Sequence, residues 1–302
     1  VEVIDILMEK VLNREVSIMA RFILSAFADE ANPNLDEQIN ALQRNEIEYI
    51  EIRGVVDRNI IKHDDNRIKE IKAKLEAGGI KVWSIGSTIG KIGIKDDFEP
   101  HFEDFKRAVE VAQMLDCNNI RLFSFFMPGG ENPDDYRDEV MRRMGALVEY
   151  AEGTGVDLCH ENEKFIYGET IERNLDLFET FGSGLKGILD PSNYVQSGVK
   201  PIEAFKALDK YIKYLHIKDA RFSDLKVVPS GYGDGNIKEI ITELNKRDGD
   251  VVLSIEPHLK VFAGYDALGD DTSIGDTEFV YKSGDEAFDA ACDALKNILK
   301  EV

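Results

Sequence analysis

Four residues able to hold a divalent cation, Glu161, Asp190, His216 and Glu256, close short apolar runs: V-D-L-C-H-E, L-K-G-I-L-D, I-K-Y-L-H and V-V-L-S-I-E. A single charge at the end of such a run is ordinarily a solvated cap or half of a structural ion pair. Four on successive strands are different, because carboxylates packed into one place are forced up in pKa unless a cation stands among them. Three carboxylates and one imidazole make a mostly hard donor set without a thiolate. It suits one divalent ion, Mn²⁺ first, with Mg²⁺, Co²⁺ or Zn²⁺ compatible. An ion that prefers six donors would keep two positions for water or for adjacent substrate oxygens, as in a sugar held through a carbonyl and a neighbouring hydroxyl.

The elements that must position these residues are legible as an alternation of β-rich apolar runs and amphipathic stretches. Strands are expected at Phe22–Phe27, Ile47–Ile52, Ile80–Ile85, Asn119–Ser124, Val156–Glu161, Leu185–Asp190, Ile212–His216 and Val251–Glu256. Helices are expected near Leu35–Arg44, Asp65–Ala77, Phe98–Leu115, Asp134–Glu152, Thr170–Glu179, Ile202–Leu208, Ile237–Lys246 and Glu286–Leu299. Eight β/α units match the roughly 250 residues of a closed (β/α)₈ TIM barrel, whose chemistry sits at the carboxyl ends of the strands. No glycine-rich GxGxxG or Walker segment follows the first strand, so the dinucleotide and P-loop readings lose their best support. The expected organisation is an N-terminal extension over residues 1–20 and a single barrel domain over 21–302. A long loop, Pro257–Gly284, follows the eighth strand and carries Phe262, Tyr265, Phe279 and Tyr281. Loops of this length inside a compact domain are usually functional, so a lid or a subunit contact is expected.

The 302 residues include 37 Lys and Arg against 58 Asp and Glu, a formal charge of −21, and 43% are apolar. That composition supports a full core and argues against a nucleic-acid partner, because binding to a phosphate backbone needs clustered Lys and Arg. No run approaches the roughly 20 apolar residues of a bilayer span, and no signal peptide is apparent. A cytoplasmic protein with no membrane partner is the expectation, and self-association as a homo-oligomer is left open. Cys117, Cys159 and Cys292 are odd in number and widely spaced, so they read as reduced core residues.

The segments His160-Glu161-Asn162-Glu163, Asp190-Pro191-Ser192-Asn193, His216-Ile217-Lys218-Asp219 and Ser254-Ile255-Glu256-Pro257, in this order on strands five to eight, resemble the xylose-isomerase-like TIM-barrel superfamily of sugar (phosphate) isomerases and epimerases. The match covers nearly all of the chain from Phe22. It implies that Glu161, Asp190, His216 and Glu256 hold one metal and that Glu161 and Glu256 are the catalytic acid–base pair. Pro229, Gly231, Gly233, Asp234 and Gly235 look like the P-x-G-x-G loop after the seventh strand, and Arg221 lies near where ketose epimerases place a substrate-binding Arg. The chain departs from the ketose 3-epimerases in having Asn193 where they carry a His. Its Asn193 and Val228-Pro229-Ser230 also cannot supply the additional ligands of the related apurinic endonucleases, so nuclease activity is disfavoured.

Further candidates for substrate contact are Lys218, which could equally pair with a carboxylate such as Asp219, His258, two residues beyond Glu256, and Asn193. Trp83 could stack on a sugar face, against core packing as the ordinary alternative. By strand alternation His160 faces away from Glu161 and packs between strand and helix. Glu51 and Arg121 read as a polar floor or a structural pair. The expected function is a metal-dependent isomerase or epimerase of a small sugar, keto-sugar or polyol derivative, with Glu161 and Glu256 moving a proton through an enediolate. The same equipment would serve a dehydratase or carbon–carbon lyase acting on a ketosugar. A non-catalytic sugar-binding barrel is disfavoured by the presence of all four ligands.

Overall fold

In the computed structural model, which describes residues 19–56, 58–263, 274, 276 and 278–302, the first strand, β1 (Arg21–Ala26), pairs in parallel with both the second and the last strand. The others are β2 (Tyr49–Ile52), β3 (Lys81–Ile85), β4 (Asn119–Leu122), β5 (Asp157–Glu161), β6 (Lys186–Leu189), β7 (Ile212–Ile217) and β10 (Asp250–Ile255). Their order, β1-β10-β7-β6-β5-β4-β3-β2, closes into an eight-stranded parallel barrel, the TIM fold expected from the sequence. Two short strands, β8 (Asp219–Ala220) and β9 (Val227–Val228), form an antiparallel hairpin in the loop after β7.

The helices are α1 (Leu35–Arg44), α2 (Asp65–Ala77), α3 (Glu99–Met114), α4 (Arg137–Ala151), α5 (Ile171–Phe181), α6 (Pro191–Gln196), α7 (Pro201–Leu208), α8 (Ile237–Leu244) and α9 (Gly284–Leu299). Local chemistry starts several of them: the side chains of Asn34, Asp64, Thr170 and Ser283 each accept a hydrogen bond from a backbone N–H in the first turn of α1, α2, α5 and α9. Their apolar faces are buried, as with Leu35, Ile39 and Leu42 of α1 and Phe288, Cys292 and Leu295 of α9. α6 was not anticipated. Its Pro191 at the first position lacks the N–H that would go unused there, and Asp190 caps it by accepting from the Asn193 N–H at 3.0 Å.

The barrel interior is layered by the two-residue period of its strands. Cys159, Ile188, Tyr214 and Val252, with Ile23 and Trp83 against them, form an apolar lower layer. Two residues further along the same strands stand Glu161, Asp190, His216 and Ser254, all buried. The ladder therefore lifts the polar set toward the carboxyl end of the barrel. The sixth and eighth strands stop at Leu189 and Ile255, one residue earlier than expected, so Asp190 and Glu256 are the first residues of their loops. Among the described residues all three cysteines are free and buried, and no helix is long and apolar enough to cross a membrane. The expectation for the N-terminal extension falls almost wholly outside the described residues, as does Tyr265 of the long loop.

Candidate metal centre

Glu161 is the last residue of β5, Asp190 follows β6, His216 lies near the end of β7 and Glu256 follows β10. One ligand atom from each lies within 4.8 Å of the others. His216 Nδ1 is 3.3 Å from Glu161 Oε1 and 3.7 Å from Glu256 Oε2, yet this buried nitrogen makes no hydrogen bond. A buried nitrogen left without a hydrogen bond is costly unless something else is meant to meet it. With three carboxylates facing it, the donor set fits a divalent cation.

The protein's own cations surround the cluster. Lys218 Nζ lies 2.8 Å from Asp190 Oδ2 and 2.9 Å from Glu256 Oε2. Arg121 Nη1 bridges Glu161 Oε2 at 3.1 Å and Glu256 Oε1 at 3.4 Å. Arg53 Nη1 reaches Glu256 Oε1 at 3.3 Å while its other nitrogens hold Asp29 and Glu30. Asn193 donates to Glu161 Oε1 at 3.0 Å, and Asn162 accepts from the Asp190 N–H at 2.9 Å, tying the β5 and β6 loops together.

These charges set the titration of the site without an ion. Burial would raise the Glu161 carboxyl, but His216 and Arg121 bring it down to about 2. Burial likewise opposes ionised Glu256, and Lys218 and His258 hold it well below the usual carboxylate range. Burial would lower His216, but Glu161 and Glu51 raise it to about 10. Asp190 is the less compensated ligand: burial pushes it up to about 7 in spite of Lys218. A divalent cation would take the place of the His216 proton and the missing charge at Asp190.

Two candidates for substrate contact, Trp83 and Arg221, are not brought to the cluster, and Lys218 finds other carboxylate partners than the nearest in sequence. Trp83 lies in the lower layer, its ring 5.7 Å from Tyr214 and 6.3 Å from Tyr49, because its position on β3 is two residues short of the strand end; it packs in the core instead of facing the mouth. Arg221 is on the outside of the β8–β9 hairpin, bound to Asp224 at 2.7 Å, to Asp276, and to Glu278 at 3.4 Å. That guanidinium fastens the loop after β10 and is not brought to the cluster. Lys218 does pair with carboxylates, but with two of the ligands and not with Asp219. The Asp219 carboxylate instead accepts the N–H groups of Ala220, Gly231, Gly233 and Gly235. A Cβ on Gly233 would lie 2.4 Å from Asp219 Oδ1, which explains the spaced glycines of this loop.

His258 is at the mouth, with Nε2 3.5 Å from Glu256 Oε1 and its ring stacked 5.5 Å from Phe262. His160 faces the helix layer, as alternation requires, and shares the Ser124 hydroxyl with the Gly168 N–H. Sequence reasoning missed Asp29, Glu30 and Arg53. All three follow strand ends, so the rule applied to strands five to eight would have found them on strands one and two.

An eight-stranded parallel barrel with four potential metal ligands gathered at the carboxyl ends of its strands defines a TIM barrel. Residues 39–275 match the sequence pattern of the xylose isomerase-like TIM barrels, and the chain belongs to that family. A 3-dehydroshikimate dehydratase of Bacillus anthracis is 23% identical over 230 residues, covering 70% of this chain and 81% of that protein. The IolI protein, crystallised with a zinc atom, superposes with a TM-score of 0.69 at 16% identity, covering 92% of this chain and 98% of that one. D-psicose 3-epimerase of Clostridium cellulolyticum H10, solved with D-tagatose, gives 0.64 at 15% identity over 92% and 98%.

Proposed function

We propose that this chain is a metal-dependent isomerase or epimerase acting on a small sugar, keto-sugar or polyol derivative. The observation that carries the reading is the convergence of Glu161, Asp190, His216 and Glu256 around a buried His216 nitrogen that has no hydrogen bond. A divalent ion held by these four residues would act as a Lewis acid toward adjacent oxygens of a substrate, making the C–H beside a carbonyl acidic. Glu161 and Glu256 come from separate strands, and each has one oxygen on the Arg121 guanidinium, which fixes the orientation of both. One glutamate removes a proton from the carbon and the other returns one. Lys218 holds a substrate oxygen beside Asp190 and Glu256, with His258 and Asn193 completing the contact surface.

The similarity to a 3-dehydroshikimate dehydratase favours a second reading, in which the same proton abstraction is followed by loss of a hydroxyl. The two share a first step and differ in product. In D₂O, an epimerase or isomerase should carry deuterium into the product at the carbon next to the carbonyl, unless a shielded proton is passed internally. A dehydratase should instead consume 3-dehydroshikimate with release of water. Glu256→Gln keeps an oxygen donor for the metal and should slow turnover by roughly 10²-fold or more. A variant as fast as wild type would remove the two-glutamate mechanism.

A further inference from the structure

Beneath the four ligands lies a further buried carboxylate outside the ligand set. Glu51, on β2, is 0% exposed and reaches across the barrel lumen to residues of β7 and β10. Its Oε2 is 3.1 Å from His216 Nε2 and accepts the Ser254 hydroxyl at 2.8 Å, while its Oε1 accepts the Tyr214 hydroxyl at 2.8 Å. Tyr214 and His216 are two apart on β7, so both face the lumen. Glu51 is two residues beyond Tyr49, whose ring meets the lumen residue Trp83, so the alternation of β2 turns the carboxylate into the lumen as well.

We infer that Glu51 is a positioning residue for the metal centre: it binds the outer nitrogen of His216, fixes the ring with Nδ1 toward Glu161 and Glu256, and strengthens that nitrogen as a ligand. The inference rests on the metal reading proposed above and extends it to a residue outside the ligand set. An imidazole presents a metal with one nitrogen only if the other has a settled partner, and a carboxylate partner raises the basicity of the ligating nitrogen. The two nitrogens of His216 differ in this way: Nε2 has Glu51, and Nδ1 has no hydrogen bond. Glu51 has no Lys or Arg within ion-pair distance among the described residues, and His216 is its one basic partner there. A wholly buried carboxylate with three donors and no fixed cation is expensive to keep. Its charge becomes useful when His216 carries a cation on its far side. The edge of Phe27, 5.2 Å from the His216 ring, limits any other tilt.

The test is isothermal titration of the metal-free protein with Mn²⁺ and with Zn²⁺, for wild type, Glu51→Gln, Glu51→Ala and Ser254→Ala. Glu51→Gln preserves shape and a neutral acceptor, and should weaken binding by roughly 10-fold or more; Glu51→Ala should approach 100-fold, the usual span for such partners. Ser254→Ala, which leaves Glu51 in place, should lose less than either and keeps the test alive if Glu51→Ala does not fold. A ¹⁵N spectrum of the Zn²⁺-loaded protein should show His216 protonated at Nε2, with that proton shifted upfield in Glu51→Gln. A purely structural Glu51 would lower stability without moving either readout. Equal metal affinity and an unchanged His216 signal in Glu51→Gln would overturn the inference while leaving the metal reading intact. Failure of wild type itself to bind either ion would overturn both.

Discussion

On the β1, β2 and β4 side of the mouth, each guanidinium is fully engaged. Arg53 meets Asp29, Glu30 and Glu256 and lies between the faces of Phe27 and Phe262, at 4.6 and 4.4 Å; Arg121 meets Glu161 and Glu256 and lies over Phe27 and Phe123, at 4.8 and 5.2 Å. On the β5, β6 and β7 side, Asp190 has a single ammonium and His216 a nitrogen without a hydrogen bond. One side is a saturated ion network stiffened by alternating aromatic rings, and the other is an under-compensated donor set. A scaffold can keep ligands in unfavourable company only if their outer oxygens are held from behind. The saturated side does this through Glu256 and Glu161.

The largest expected effect breaks the saturated side. Arg121→Gln leaves two buried glutamates without their shared counter-ion and should cost about 3–5 kcal/mol, the usual loss when one partner of a buried pair is removed. Urea unfolding of the metal-free protein measures it. A loss below about 1 kcal/mol would mean the glutamates do not depend on that clamp.

The next prediction concerns pH. Glu30 is pushed up to about 8, chiefly by burial, and Asp190 to about 7, against unfolded values near 4. Between these limits the folded, metal-free chain binds more protons than the unfolded chain, so stability falls as pH rises. His216, raised to about 10, adds a loss of the same sign as pH climbs above its unfolded value of about 6.5. The urea midpoint with chelator present should therefore decline from pH 5 to pH 8, and added Mn²⁺ should flatten the decline. A midpoint that rises with pH would show that the ligand side is already compensated.

Much of this contrast could be read from the sequence on one side only. A His and three carboxylates ending successive apolar runs are an unusual pattern, and the period-2 ladder carries it directly to the mouth. An Arg after a strand, such as Arg53, is ordinary in sequence, and its pairing with Asp29 and Glu30 depends on how the loops after the neighbouring strands β1 and β2 meet. Glu51 sits in E-Y-I-E-I, where alternation with Ile50 and Ile52 turns it into the lumen, but its pairing with His216 across the barrel leaves no mark in that run. Trp83 shows the opposite case: its strand ends at Ile85, as expected from the sequence, and its place two residues before that end already puts it below the mouth.

Smaller effects sharpen the contrast. Asp190→Asn removes a carboxylate that burial disfavours and keeps an oxygen to cap α6. In the metal-free protein at pH 8 it should leave stability within about 1 kcal/mol of wild type or raise it, while weakening metal binding. A destabilisation as large as that of Arg121→Gln would erase the difference between the two sides. Arg221→Ala removes a partly exposed latch and should change stability by about 1 kcal/mol or less with metal content unaltered. Loss of the metal in that variant would place Arg221 at the site after all.

The most direct measurement is metal content at equilibrium: dialysis of wild type and of a His216→Ala, Asp190→Asn double variant against Mn²⁺, followed by elemental analysis of protein and dialysate. The expected result is one ion per chain in wild type and none above background in the double variant, with the fold of both retained by circular dichroism. Wild type without bound ion, or a double variant that retains a full equivalent, would contradict a metal centre built from Glu161, Asp190, His216 and Glu256.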